Sequence, residues 1–192
     1  MISYRVMGSP DGNNTCPAKV AAVAAQYGLE ALGVPSLVEA HAIAVRLIGE
    51  GVAPAERLIA LQAHFSASVF GLRESGQLTG LLAAFPLNAL GLAAVENQSF
   101  DAAALDIELV SSPGERPAAY YGWGFAATTK DGARAVMRAS SDIHRLLYWG
   151  APTFARAVTN DGVRALQSIG FRPHAVSAGL FHIPPSMDLV RA

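Results

Sequence analysis

The stretch "YYGWGFAATTKDGARAVM", residues 120–137, decides the fold. An apolar run of aromatic and small residues leads into a polar turn, after which Ala133, Val136 and Met137 follow at helical spacing. This order predicts a strand that ends at a loop whose main-chain amides open a helix. Such amides, together with the helix dipole, can hold a phosphate. The same residues are also compatible with a simple turn in which Thr129 or Asp131 caps the helix.

The composition limits the class of protein. The chain has 192 residues, of which 52% are hydrophobic and 15% charged, which predicts one domain with a sizeable core. The net charge of −1 offers no basic surplus, so we expect no nucleic-acid partner. Because no apolar tract reaches the ~18 residues that a bilayer-spanning helix needs, we expect no membrane insertion.

A single cysteine, Cys16, points to a reducing compartment. It has no intramolecular disulfide partner, and residues 1–14 lack the charged and apolar regions of a secretion signal, so we expect a cytoplasmic protein. Its place near a helix start could lower the thiol pKa and make it a nucleophile. An inert small residue is the alternative.

The first two thirds of the chain predict helices and then a hairpin. A short strand is expected in "ISYRVM" (residues 2–7), and helices throughout residues 15–66. Their Ala/Leu faces could form a homodimer, although core packing also explains them. "SVFGLRESGQLTGLLAAFPL" (residues 68–87) predicts two strands around an "ESGQ" turn. Residues 88–117 are weakly patterned and predict either a mobile connection or a short helix near Phe100 to Leu109.

The last third alternates strands and helices. After the strand near residue 120, "KDGARAVMRASSDIHRLLYWG" predicts a helix, "APTFARAVT" a strand, "NDGVRALQSIGF" a helix and "RPHAVSAGLFHI" a last strand. Helical crossovers return the chain in the same direction, so the class is α/β with a mixed sheet. We find no internal repeat. The expected inner face of the first of these helices comprises Ala135, Met137, Ile143 and Leu147.

Three stretches resemble the GNAT superfamily of N-acyltransferases. "VFGLRESGQLTGLLAAFPL" is similar to that family's hairpin of second and third strands, and "YYGWGFAATTKDGARAVM" to its fourth strand and pyrophosphate loop. "FARAVTNDGVRALQSIGFRP" is similar to its fifth strand, fourth helix and closing "GF". The resemblance covers about three quarters of the chain, from about Ser36 to His182. It implies a mixed, mostly antiparallel central sheet with splayed fourth and fifth strands, flanked by helices.

The resemblance also implies a domain layout and a site. Residues 1–34 would form an N-terminal extension packed on the domain, residues 35–185 a GNAT-like acyl-CoA-binding domain, and residues 186–192 a tail. In the family, the fourth strand binds the pantetheine arm and the loop amides bind the pyrophosphate. The implied cofactor-binding residues are Trp123, Gly124, Phe125, Ala126, Ala127, Thr129, Lys130, Asp131, Gly132, Ala133 and Arg134. The acyl carbonyl would lie near Trp123, Gly124 and Phe154.

The chain departs from the family at two places. The loop usually reads Gln or Arg, two residues, Gly, one residue, then Gly or Ala. With Gly132 as the first glycine, Thr129 replaces the first residue and Arg134 the last small one. With Ala133 as the last small residue, Asp131 displaces the first glycine. The tyrosine that often protonates the leaving thiolate is replaced by Leu166. Tyr120 and Tyr121 lie on opposite faces of the predicted strand, so at most one of them points toward a cleft, and Tyr121 is the candidate acid. A buried, hydrogen-bonded core tyrosine is the alternative.

Other candidate groups are weaker. His144 and His174 could serve as bases near neutral pH, or be ordinary structural histidines. The remaining histidines are scattered and no His/Cys/carboxylate cluster has ligand spacing, so no metal site is predicted.

The leading hypothesis is an acyl-CoA-dependent N-acyltransferase that uses acetyl-CoA or another acyl-CoA as cosubstrate. Its acceptor would be a small-molecule or peptide amine that attacks the thioester directly. The alternative is a GNAT-like binding or regulatory module without catalysis, which Leu166 and the altered loop favour. A third hypothesis is a helical interaction protein, based on the alanine-rich segment.

Overall fold

A computed structural model describes residues 16–49, 52–175 and 177–185. The α-helices in these ranges are α1 (Pro17–Ala25), α2 (Val34–Ile48), α3 (Ala55–His64), α4 (Ala89–Glu96), α5 (Lys130–Ile143) and α6 (Asn160–Ser168). The strands are β1 (Leu29–Ala31), β2 (Val69–Glu74), β3 (Gln77–Leu87), β4 (Ala119–Ala127), β5 (Thr153–Arg156), β6 (Arg172–Pro173) and β7 (Leu180–Ile183). A 3-10 turn covers Ile107–Leu109, and a π-helical turn, His144–Tyr148, continues α5.

The described strands form one sheet in the order β1-β2-β3-β4-β5-β7-β6. Neighbouring strands are antiparallel except β4 and β5, which are parallel and are joined through the α5 crossover. This confirms the predicted mixed, mostly antiparallel sheet flanked by helices. None of the described helices combines the length and apolar character needed to cross a membrane.

The sheet separates two cores. On one face, which we call the α2 face, α2 and α3 pack against β-strand residues that include Phe85, Tyr121 and Phe154. On the other, the α5 face, α1 and α5 pack over Phe70 and Tyr120. The alternation of side chains along each strand therefore decides on which side of the sheet a residue can act.

The predicted hairpin of β2 and β3 is confirmed. Its turn residues Ser75 and Gly76 both have positive φ, 51° and 81°, which matches the turn geometry that joins two-residue hairpins. This hairpin supplies the rigid edge against which β4 aligns.

β4 and β5 separate after a short paired segment. They pair only at Tyr120↔Thr153, Tyr121↔Phe154 and Gly122↔Ala155, while β4 continues to Ala127. On its other side, β4 stays paired with β3 up to that end, with a bulge at Trp123 because Ala83 pairs with Gly124 and Ala84 with Gly122. The splay of the fourth and fifth strands is confirmed.

Several predicted elements differ in the structure. Within the segment predicted to be helical, Gly28 at φ 75° reverses the chain after α1 and starts β1. Residues 100–109, for which a connection or a short helix was predicted, contain only the 3-10 turn Ile107–Leu109 as a helical element. The α-helix of this segment, α4, begins earlier, where the Asn88 side chain accepts a hydrogen bond from the Gly91 amide at 3.0 Å. The predicted last strand is the antiparallel pair β6 and β7. The strand predicted in residues 2–7 lies outside the described residues.

The inner face predicted for α5 is also partly wrong. Of the expected residues, Ile143 is buried, whereas Ala135, Met137 and Leu147 are only partly buried and Ala133 is exposed. Small residues let the helix approach the sheet closely, so the buried face is set by packing and not by hydrophobicity alone. That face consists of Gly132, Val136, Ala139, Ser140 and Ile143.

Residues ahead of α2 belong to the same sheet. β1 pairs with β2 from Leu29↔Leu72 to Ala31↔Phe70, and α1 packs on α5. The division at residues 34 and 185 stays a prediction.

Candidate active site where strands β4 and β5 separate

A cleft of about 440 Å3 opens where β4 and β5 diverge. Its walls are β4 beyond Gly122, the first turns of α5 and α6, the connection from β5 to α6, and part of α2. Most of the lining side chains are apolar. The cleft therefore offers a long apolar channel that reaches both faces of the sheet.

One wall of the cleft is an unpaired strand edge. Residues 124–127 of β4 pair with residues 80–83 of β3 on one side, but β5 provides no partner on the other. Main-chain amides and carbonyls along that edge need hydrogen-bond partners. An extended ligand that carries amide groups can provide them in the manner of an added strand.

The bulge at Trp123 shapes this wall. As the additional residue in β4, Trp123 keeps its side chain on the α2 face, edge-on to Phe85 with ring centroids 5.6 Å apart. Its indole Nε1 donates a hydrogen bond to the Ala102 carbonyl at 2.9 Å. The indole is thus fixed and forms a rigid side of the cleft.

Tyr121 lies at the vertex of the split and lines the cleft, although only 1% of its surface is exposed. Its ring packs against Phe85 and Phe100, with centroid separations of 5.8 and 4.7 Å. Burial raises the pKa of its hydroxyl, and the nearby Arg156 guanidinium opposes that shift only in part. The hydroxyl therefore stays protonated at neutral pH and can donate a proton.

The start of α5 adjoins the far end of the cleft. Thr129 caps the helix, since its Oγ1 accepts a hydrogen bond from the Gly132 amide at 3.0 Å. The amides of Lys130 and Asp131, in the first turn, have no intrahelical acceptor. Asp131 is ion-paired with Arg134 at 2.5 Å on the exposed surface, which neutralises the carboxylate that would otherwise repel a phosphate.

Gly132 has a packing role at this helix start. A Cβ at Gly132 would lie 2.9 Å from Thr129 Oγ1 and 3.2 Å from a Leu72 methyl carbon. The glycine is therefore needed for the cap and for close packing on the sheet. A bulky replacement would disturb the fold, so it is unsuitable as a probe of ligand binding.

The predicted site residues divide into two groups. Those on the cleft wall are Tyr121, Trp123, Gly124, Phe125, Ala126, Ala127 and Ala133. Those that lie beside the wall, around the start of α5, are Thr129, Lys130, Asp131, Gly132 and Arg134. Phe154 pairs with Tyr121 in the sheet and is buried beneath the vertex.

The start of α6 repeats the start of α5, a similarity missed in the sequence. "TKDGARAV" (residues 129–136) corresponds to "TNDGVRAL" (residues 159–166). Thr159 Oγ1 accepts from the Gly162 amide at 3.0 Å, and Asp161 pairs with Arg164. Each helix follows one of the two splayed strands, so two equally capped helix starts flank the cleft. The identical spacing of threonine, aspartate, glycine and arginine in the two segments was the sequence signal that could have revealed this similarity.

The two histidines predicted as candidate bases, His144 and His174, lie away from the cleft wall. His144 Nδ1 lies 2.7 Å from Thr153 Oγ1, and burial lowers its pKa. The His174 ring packs edge-on against Phe154 and His182. Leu166 does line the cleft, but as a buried apolar side chain. Among the described residues, no group of three or more His, Cys, Asp or Glu side chains could hold a metal ion.

Arg156 is the cleft residue that sequence reasoning missed. It ends β5, lines the cleft and donates a hydrogen bond from its guanidinium to the Ala178 carbonyl at 3.0 Å. A lone arginine within the apolar strand "TFARAV" was the available signal.

Comparison with known proteins connects this geometry to a fold. No family model matches the sequence, and no curated protein matches it. Among solved structures, the ribosomal-protein-S18-alanine N-acetyltransferase from Escherichia coli is similar with a TM-score of 0.52 at 14% identity, over 83% of this chain and 94% of that one. Ard1 from Thermoplasma volcanium is similar with a TM-score of 0.50 at 9% identity, over 80% of this chain and 93% of that one. Similarity at this level of identity shows a shared fold.

Proposed function

We propose that this chain, which adopts the GNAT superfamily fold, is an acyl-CoA-dependent N-acyltransferase whose acceptor is the amine of a small molecule or a peptide. The observation that carries the proposal is the unpaired edge of β4 within the cleft. An open main-chain edge in the middle of a sheet is unusual in a stable fold unless a ligand pairs with it.

The residues fit an acyl-CoA molecule. The pantetheine arm is extended and carries two amide groups, which match the unpaired main-chain groups of residues 123–127. The Lys130 and Asp131 amides and the positive end of the α5 dipole suit the pyrophosphate. The Lys130 side chain, exposed at the same helix start, adds positive charge. The apolar walls suit the hydrocarbon part of the arm.

The chemistry balances with the groups present. Bound acyl-CoA supplies a thioester. The amine nitrogen attacks the carbonyl carbon of that thioester, so that a C–N bond forms and the C–S bond breaks. Tyr121 donates the hydroxyl proton to the leaving sulfur, and its phenolate recovers a proton from the acylated amine. Net transfer is one proton from nitrogen to sulfur.

Tyr121 has this role because Leu166 provides no proton. Both residues line the cleft, yet Leu166 is an apolar side chain within the small core of Ala155, Phe171 and Phe181. Because burial raises the pKa of Tyr121, its hydroxyl is protonated at neutral pH, so it can donate a proton but cannot act as the initial base. The amine must therefore bind in its neutral form, and it loses its proton to the Tyr121 phenolate after the C–N bond has formed.

Acetyl-CoA is the acyl donor that we propose to test first, with the aromatic side chains of Tyr121 and Trp123 lining the cleft beside the acyl group. A binding module without catalysis is the second candidate, favoured by Leu166.

Two assays on the full chain separate these functions. The first measures the melting temperature with and without millimolar acetyl-CoA, since a ligand that binds only the native state raises it. The second measures thiol release from acetyl-CoA with a panel of small amines and peptides. Stabilisation with thiol release supports the transferase, and stabilisation without release supports the binding module. No stabilisation contradicts both.

A further inference from the structure

Arg156 stands out within the apolar cleft. Among the described residues that line it, the charged side chains are Arg156 and Asp161. Asp161 is already ion-paired with Arg164. Arg156 therefore supplies the unneutralised charge of the cleft.

The hydrogen bonds of Arg156 leave most of its donors available. A guanidinium has five N–H donors; that of Arg156 donates one hydrogen bond to the Ala178 carbonyl at 3.0 Å and one to the Tyr121 hydroxyl. No carboxylate in the described part of the chain lies within 4.0 Å of it, whereas Arg134, Arg145 and Arg164 each pair with one and Arg73 pairs with two. Its side chain is exposed, so a ligand can reach it.

The position of Arg156 places this charge beside the reacting groups and away from the phosphate end. Side chains alternate along β5, so Arg156 shares the α2 face with Phe154, and its partner Leu180 also belongs to the α2-face core. Tyr121, the proposed acid, is on the same face. By contrast, the packed residues of α5 lie on the opposite face, as Val136 and Ile143 show.

We propose that Arg156 determines substrate specificity by binding a carboxylate of the substrate close to the transferred acyl group. A planar guanidinium binds a carboxylate through two parallel N–H···O bonds, a geometry that no other side chain of the cleft can provide. The carboxylate belongs either to the acceptor, as in an amino acid, or to the acyl chain, as in a dicarboxylic acyl-CoA. This inference rests on the proposed function.

The kinetic test compares matched substrates in two arms. In the acceptor arm, acetyl-CoA is offered with an amino acid and with the corresponding amino amide. In the donor arm, succinyl-CoA and butyryl-CoA are compared with one neutral amine. The carboxylate-bearing member of one pair is expected to have a kcat/KM at least about 10-fold higher, since hydrogen bonds to charged groups are worth about 1.5–3 kcal/mol.

Variants connect that preference to Arg156. Arg156→Gln should remove the preference and leave the Kd of acetyl-CoA within about twofold, while Arg156→Lys should retain part of it because a single charge remains. Arg138→Gln, an exposed arginine of α5 outside the cleft wall, is the matched control and should change neither. If the wild type prefers neither carboxylate, or if Arg156→Gln weakens acetyl-CoA binding and all substrates alike, the inference is wrong.

A binding measurement keeps the two proposals distinguishable. Titration of the full chain with glutarate, and separately with glutaramide, at constant ionic strength needs no acyl transfer. Glutarate binding that Arg156→Gln abolishes and Arg138→Gln retains supports the carboxylate site even if acetyl-CoA does not bind. Equal behaviour of glutarate and glutaramide overturns it even if acetyl-CoA does bind.

Discussion

Tyr120 and Tyr121 are consecutive in β4, yet their side chains are buried in cores on opposite faces of the sheet. Tyr120 stacks on Tyr148 with ring centroids 4.3 Å apart, whereas Tyr121 lines the cleft. The pair therefore provides a chemical test in which one hydroxyl can reach a ligand and the other cannot.

We expect Tyr121→Phe to lower kcat by about 10²–10⁴-fold, the usual contribution of a general acid. The Kd of acetyl-CoA should stay unchanged, because the ring and its packing against Phe85 and Phe100 remain. Tyr120→Phe is the matched control and should retain activity. Steady-state thiol release and calorimetric binding measure the two quantities. Equal activity of both variants would remove Tyr121 from the mechanism.

Ala133, exposed in the first turn of α5 and part of the cleft wall, tests where the phosphates bind. Ala133→Glu should weaken acetyl-CoA binding at least about 10-fold, since a carboxylate there repels a phosphate and fills space. Folding should be preserved, because an acidic residue in a first helical turn is favourable. Ala42→Glu, on the exposed face of α2 and away from the cleft, should bind acetyl-CoA as the wild type does. A normal Kd for Ala133→Glu would place the phosphates elsewhere.

The two threonine caps should differ in function but not in stability. Thr129→Ala and Thr159→Ala each remove one cap hydrogen bond of 3.0 Å, so each should lower the free energy of unfolding by about 1 kcal/mol. Thr129→Ala also removes the exposed hydrogen bond that Thr129 Oγ1 donates to Glu74 Oε1 at 3.3 Å. Urea denaturation measures that loss. Thr129→Ala alone should also weaken acetyl-CoA binding, because the amides of α5 lose their fixed geometry. If both caps affect binding equally, α6 also contacts the ligand.

His144 should make stability depend on pH. Burial lowers its pKa in the folded protein below the ordinary value of 6.5, so the unfolded chain binds more protons as the solution becomes acidic. Stability is thus complete above about pH 6.5 and declines as pH falls through the range between the unfolded and folded pKa values.

His144→Asn keeps an acceptor for the Thr153 hydroxyl but removes the titration. Melting temperatures between pH 7.5 and 5.5 should therefore fall less in the variant than in the wild type. An identical decline in both proteins would assign the pH dependence to other groups, such as His182, whose pKa is also lowered by burial and by His174.

The strand–loop–helix order of residues 120–137 was readable because hydrophobic spacing and turn residues encode local structure directly. The mixed sheet and its splayed strands came from the resemblance of those motifs. The predictions that were wrong concern elements whose structure depends on tertiary contacts. β1 exists only by pairing with β2, and the inner face of α5 is set by Gly132 and Ser140, which hydrophobicity does not reveal.

The same distinction between local sequence signals and tertiary contacts applies to the site residues. The resemblance to a family's fourth strand implied Tyr121 and residues 123–127; the structure places them on the cleft wall, and their roles stay predictions. Arg156 could not be placed near Tyr121 from spacing, because only the parallel pairing across a helical crossover sets Tyr121 opposite Phe154, two residues before Arg156.

The most direct test of the open β4 edge is amide hydrogen exchange with and without saturating acetyl-CoA. We expect slower exchange in residues 123–134 on ligand addition, and unchanged exchange in α2, residues 34–48. Unchanged exchange in residues 123–134, while calorimetry shows bound acetyl-CoA, would contradict binding at the open β4 edge. Absence of acetyl-CoA binding at millimolar concentration would contradict it as well.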